Sequence, residues 1–159
     1  MAYDPQWPRV FAREAQRLRD ALGERIRGLE HHGSTAVPGL SAKPIIDILL
    51  DIDDLAEVSA IKPKLEALGY DHAPRAGVPN HEVFGLGEPR RVLVHLVRYE
   101  GLDWLQNLWF RDSLRGDPSL AAEYARLKRE LAAVHAHDRV KYTDAKSQFI
   151  ARIRSSFTK

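Results

Sequence analysis

Apolar residues recur at helical spacing near the start of the chain. Val10, Phe11, Ala15 and Leu18 form one stripe among Arg and Glu, which predicts a helix from Pro8 to Ala21. In "ERIRGLEHHG" the pattern becomes a looser alternation, with Ile26 and Leu29 set among polar residues, a weak strand signal. "PIIDILLDI" is short, branched and apolar on both faces, as a central strand should be. Asp53 or Asp54 can then cap a helix that runs to about Leu68 and stops at Gly69. "EVFGLGEPRRVLVHLVRYE" reads as two strands joined by a turn holding Gly87, Glu88 and Pro89. From Leu102 onward the spacing is helical. Leu105, Leu108 and Trp109 make one stripe; Leu120, Tyr124, Leu127, Leu131 and Val134 make a second, after Pro118. Tyr142, Phe149, Ile153 and Phe157 make a third. The pattern predicts one α+β domain over residues 1–159, a mixed front two-thirds followed by a helical third.

Composition narrows the function. With 44% hydrophobic and 29% charged residues the chain is globular in type. It has no cysteine, which excludes disulfides and zinc–thiolate sites. "MAYDPQWPRVF" has neither the basic nor the apolar region of a secretory signal, so the chain is expected to be cytoplasmic. No apolar run reaches the roughly 18 residues of a membrane span, so no membrane partner is expected. The net charge of +2 comes from Lys and Arg spread along the chain, which speaks against a nucleic-acid partner and suits a small anionic ligand equally well. Nothing in the sequence fixes an oligomeric state.

The densest chemistry lies in "HHGSTAVPGLSAKPIIDILLDID", from His31 to Asp53. Glycine permits backbone angles closed to other residues and lets a ligand approach closely. With Ser34 after it, Gly33 forms a turn suited to phosphate. Asp47, inside the next strand, can hold a divalent cation against that phosphate. The plain alternative is a turn glycine, a capping Ser34 or Thr35, and an aspartate paired with a lysine.

The same residues carry a resemblance. "EHHGSTAVPGLSAKPIIDI" resembles the hallmark segment of the GrpB-like family, whose fold is that of the nucleotidyltransferase superfamily. "YDPQWPRVF", "FRDSLRGDP", "YARLKRELA" and "YTDAKSQFI" also look like family motifs, in the family's order, so the likeness spans essentially the whole chain. It implies a mixed sheet packed by helices, a Gly-Ser turn facing nucleotide phosphates, and acids on adjacent strands holding metal.

The chain departs from active nucleotidyltransferases at one point. Those enzymes carry two acids separated by one residue after the turn; here the pattern is Asp47-Ile48-Leu49. Strand side chains alternate, so Leu49 should share Asp47's face. Asp51 falls on that face too, about 7 Å further from Leu49, as a ligand or a strand-end residue. The place of a third superfamily acid, on a later strand, is taken by His95, a ligand for Zn²⁺ or Mn²⁺ more than for Mg²⁺. The expected metal pair is therefore Asp47 and His95.

Other candidates follow from residue type. Lys43 can point a charge at the cleft or lie in solvent. Arg111 can fork onto phosphate or pair with Asp112. Lys128 and Lys146 each stand four residues after a stripe tyrosine, Tyr124 and Tyr142, at the edge of an apolar face. Lys146 has the better family match. One of His31 and His32 points inward. Asp51, Asp53 and Asp54 fail the spacing of a calcium loop. His135 and His137 with Asp138 read as a helix end more than a metal tract, and Trp7, Trp104 and Trp109 as packing residues.

The leading expectation is a nucleotidyltransferase-fold protein binding a nucleotide or phosphorylated small molecule. Gly33 and Ser34 cradle phosphate; Asp47 and His95 hold Mg²⁺, Mn²⁺ or Zn²⁺; Lys43, Arg111 and Lys146 neutralise charge. As an enzyme it would transfer a nucleotidyl group to an acceptor the sequence does not name. Two alternatives stand beside it. One is a non-catalytic binding module, for which the family's occasional fusion to dephospho-CoA kinase implies a coenzyme A context. The other is a metal-dependent hydrolase using His31 and His95.

Overall fold

The computed structural model describes residues 1–73, 82–98, 101–135 and 137–157. Its contacts group into two compact units, Met1–Leu105 and Gln106–Lys159.

In the first unit, helix α1 covers Trp7–Leu22. It starts one residue before the apolar pattern suggests, because Trp7, only 4% exposed, is itself a core residue. Strand β1 (Gly28–His32) leads through the Gly-Ser turn to β2 (Ile46–Ile52). Asp54 is a cap, accepting the Ala56 N–H at 2.9 Å, but the segment it caps is a short 3-10 turn, Leu55–Glu57, that opens into α2 (Val58–Ala67). Asp53 instead pairs with Arg27 at 2.9 Å. The chain leaves α2 through Gly69, whose φ of 100° is left-handed. The next element is a strand that the sequence pattern did not signal, β3 (Tyr70–His72). Its three residues are too few to show alternation. Strands β4 (Glu82–Leu86) and β5 (Val92–Arg98) flank the expected turn. Tyr99 and Glu100, read as the end of that strand, lie outside the described residues.

The five strands form one mixed sheet in the order β1-β2-β5-β4-β3, with β2 and β5 parallel and the other pairs antiparallel. One face carries Leu29, Ile48, Leu50, Ile52, Val94, Leu96 and Phe84. It packs against Leu18 and Leu22 of α1 and Ile61 and Leu65 of α2. This burial is the main stabilising term for the unit. The expected α+β fold, a nucleotidyltransferase-like mixed sheet packed by helices with a helical C-terminal third, is the fold observed.

The second unit is helical. Helix α3 (Leu102–Gly116) runs into it, followed by α4 (Pro118–Val134) and α5 (Arg139–Ser155). Asp117 and Asp138 cap α4 and α5 through backbone N–H groups of Ser119, Leu120 and Lys141. Tyr124 stacks on Phe149 with centroids 5.1 Å apart and takes Phe110 edge-on at 5.5 Å. Trp109 is 38% exposed, more than a core reading allows. Its indole N–H is shared between the Ser156 Oγ and the Ile153 carbonyl, so it works as a helix-packing residue. Among the described residues no helix is long and apolar enough to cross a membrane.

Candidate functional site

The second face of the sheet is built differently from the core face. Register places Glu30, Leu49 and His95 side by side across β1, β2 and β5, and places His32, Asp47 and Leu93 in the next row. Paired residues point to the same side of a sheet. This face therefore carries Glu30, His32, Asp47 and His95, while its neighbour is almost wholly apolar.

His32 and Asp47 lie at one end of the sheet, and Glu30 and His95 stand in the next row inward. β1 ends at His32 opposite Asp47, and β2 and β5 both begin there, with Ile46 beside Val92. The Gly-Ser turn, the segment holding Lys43 and the β4–β5 turn all emerge at that end. Gly33 has φ of 76°, open to glycine at little cost. A Cβ on Gly33 would lie 2.6 Å from Asp47 Oδ2, so the missing side chain is what lets the carboxylate rest on the turn. Ser34 then starts the short 3-10 turn Ser34–Ala36. The Asp47 side chain is 27% exposed, although its strand is otherwise buried, and its Oδ1 lies 3.2 Å from His95 Nε2. His32 meets His95 edge-on with centroids 4.9 Å apart. Lys43 is exposed, three residues before β2.

The structure thus brings Gly33, Ser34, Asp47 and His95 together and sets Lys43 at the same end of the sheet. Arg111 and Lys146 belong to the second unit. There Arg111 is 8% exposed and donates from Nε to Asp112 Oδ1 at 2.9 Å, the ion pair weighed as its plain reading. Lys146 is half-buried on α5. Lys128 lies 5.0 Å from the centroid of the Tyr124 ring, a lysine over a core tyrosine.

His31 needs a correction. It is 5% exposed, stacks on Phe11 of α1 at 4.8 Å, and bonds through Nε2 to Thr35 Oγ1 at 2.9 Å. Alternation along β1 turns it to the helix-covered face, so a hydrolase site pairing His31 with His95 is not built. His32 is the histidine that faces Asp47, and the signal for it was the antiparallel register of β1 on β2.

Leu49 does lie in the row between Asp47 and Asp51, and it is fully buried. The donor set does not fit a pair of Mg²⁺ ions: an apolar side chain fills the second acid's place, and among the described residues no group of three His, Asp or Glu is arranged to hold a metal. A carboxylate and an imidazole do fit one softer ion completed by ligand oxygens.

Asp51 is 1% exposed, and neither of its oxygens closes a hydrogen bond of good geometry. It sits over Gly28, where an added Cβ would lie 3.1 Å from Oδ1 and 2.9 Å from the Trp104 ring. Burial pushes its pKa up. The nearby N–H groups of Gly28, Arg27 and its own residue, and the charge of Arg27, offset only part of that.

Fold and corner together define a nucleotidyltransferase-like α+β protein with a Gly-Ser turn set against a strand carboxylate. The family described as "GrpB protein" matches residues 1–156, and the chain belongs to the GrpB family. It is 33% identical to the glutamate-rich protein GrpB of Alkalihalophilus pseudofirmus, over 96% of this chain and 91% of that one. The crystal structure of conserved protein GrpB from Enterococcus faecalis superposes with a TM-score of 0.86 at 34% identity, covering 98% of this chain and 94% of the other. A dephospho-CoA kinase of Mycolicibacterium paratuberculosis is 30% identical over 79% of this chain, which spans 37% of the kinase.

Proposed function

We propose that the corner formed by Gly33, Ser34, Asp47 and His95 binds the phosphate of a nucleotide or similar small molecule. The observation that carries this reading is the carboxylate of Asp47. It lies on a central strand yet reaches solvent, resting on a glycine whose missing Cβ makes its seat. A charge kept only for folding would be paired away from water or left off a central strand. One divalent ion of the Mn²⁺ or Zn²⁺ type, held by Asp47 and His95, would join that carboxylate to a ligand phosphate, and Lys43 would add positive charge. The family match runs through both units, which supports reading residues 1–159 as one GrpB-like domain.

The test is thermal denaturation of wild type and Asp47→Asn with a nucleotide panel, with and without Mn²⁺. Ligand at about a hundred times its Kd contributes roughly 2.7 kcal/mol. That is a rise of about 5 °C or more for a chain of this size. Asp47→Asn should lose most of the Mn²⁺-dependent rise. Equal responses from both proteins would make Asp47 a folding residue and end the proposal.

A second reading, a binding module without transfer chemistry, is favoured by Leu49, which is fully buried where the second acid would stand. The likeness to part of a dephospho-CoA kinase agrees with a nucleotide-like ligand, and with a coenzyme A context, under either reading.

A further inference from the structure

Arg90 occupies the same end of the same sheet face. Gly85 on β4 is in register with Leu93 on β5, which is in register with Asp47 on β2. A Cβ on Gly85 would lie 2.6 Å from the Arg90 Cζ, so the guanidinium lies on the Asp47 side of the sheet, directly over the glycine. Asp71, opposite Gly85 on β3, grips it with both oxygens: Nη1 donates to Oδ1, and Nη2 to Oδ2 at 2.7 Å. The hydrogen bonds from Arg90, and then its charge, hold the Asp71 carboxyl below its ordinary value.

A surface ion pair contributes little to stability by itself. Glycine inside a strand costs about as much as such a pair contributes, so folding gains little by this arrangement. What the arrangement does provide is orientation. Two of the guanidinium's five donors are fixed on Asp71. The side chain stays 31% exposed, with its remaining donors in a set plane. Two strand spacings, about 10 Å, separate Gly85 from Asp47.

We propose that Arg90, seated on Gly85 and oriented by Asp71, is a second anion subsite of the corner, so that the ligand carries two separate anionic groups. One group takes the Gly33-Ser34 and Asp47 end, and the other takes the Arg90 fork. This rests on the phosphate-binding reading above and names its substrate class: a bis-anionic ligand, such as a nucleoside carrying phosphates at two positions.

The experiment is calorimetric titration of the full chain, in Mn²⁺, with adenosine 5′-monophosphate and adenosine 3′,5′-bisphosphate. Wild type should bind the bisphosphate at least about tenfold more tightly, the scale of one charge-assisted fork. In Arg90→Ala that ratio should fall to about one. Arg90→Lys, which keeps the charge and loses the fork, should recover only part of it. Each variant's unfolding curve checks that it is folded. If the monophosphate binds wild type and the bisphosphate gains nothing, or if Arg90→Ala leaves the ratio intact, the second subsite is wrong and the phosphate corner stands. If neither probe binds wild type, both readings fall.

Discussion

Gly33 meets two demands at once: a left-handed φ and the space that the Asp47 carboxylate fills. A side chain there would strain the turn and displace the carboxylate together, so Asp47→Asn is the cleaner probe of the corner. Asp51, on the same strand and the same face, is the opposite case. Its oxygens are buried and close no hydrogen bond of good geometry, and burial raises its pKa more than the nearby N–H groups lower it. The folded state therefore keeps a proton that the unfolded state gives up near its ordinary value. Stability is greatest below that unfolded value and declines as pH rises through the raised folded one. Asp51→Asn removes the charge and should stabilise the protein at pH 8, by about 1 kcal/mol or more, the scale of an unsatisfied buried group. The gain should shrink toward pH 4. Urea unfolding of both proteins across that range decides it, and a variant less stable than wild type at pH 8 would show the carboxylate to be held by something it needs. Sequence alone placed both aspartates on one strand face. It could not tell the exposed one from the buried one, because that depends on Gly33, Gly28 and Trp104, which arrive from elsewhere in the chain.

At the scale of elements, one polar staple joins α1, α2 and β3. Tyr70 on β3 donates its hydroxyl to Glu14 Oε1 at 2.8 Å, and Arg17 Nη1 donates to the same oxygen at 2.6 Å. Arg17 Nη2 reaches the Leu68 carbonyl, beyond the end of α2, at 2.7 Å. Burial, and then the negative charge of Glu14, push the Tyr70 phenol far above its ordinary range. It stays a donor at any ordinary pH, and the stability it contributes begins to fall only as pH climbs past the unfolded phenol's value, about 10. Tyr70→Phe should cost about 1–2 kcal/mol in urea unfolding at pH 7, since it removes a bond to a charged, buried acceptor. A loss near zero would mean that Arg17 alone satisfies Glu14. Glu14 belongs to α1's buried side despite its charge, and no apolar pattern marks it. Helices and the long strands were legible because their periods repeat over many residues, as in Val10, Phe11, Ala15 and Leu18. β3 was not legible, since Tyr70, Asp71 and His72 are held by pairing to β4 and show no pattern of their own.

For the whole molecule, what matters is the charge assembled at one end of the sheet. Two-metal transfer holds ions about 3.5–4 Å apart and uses bridging carboxylates to offset their repulsion. The row that would carry the second bridge has Leu49 at its centre, fully buried, with Glu30 and His95 on the neighbouring strands. An imidazole adds no negative charge, and an apolar side chain fills the position from which an acid would reach the metal. On the reading proposed above, the corner would hold a phosphorylated ligand without splitting a triphosphate. Mg²⁺-ATP incubated with the full chain and a generic hydroxyl acceptor should give no pyrophosphate above background in a coupled pyrophosphate assay. Leu49→Asp should strengthen Mn²⁺ binding at a cost in stability of several kcal/mol, because it places a carboxylate in a fully buried site, so the metal titration must be run on protein shown to be folded. Steady pyrophosphate release by the unaltered chain, proportional to protein and abolished by Asp47→Asn, would overturn the argument. It would mean that another acid on this face, with Glu30 the first to test, supplies the charge that Leu49 does not.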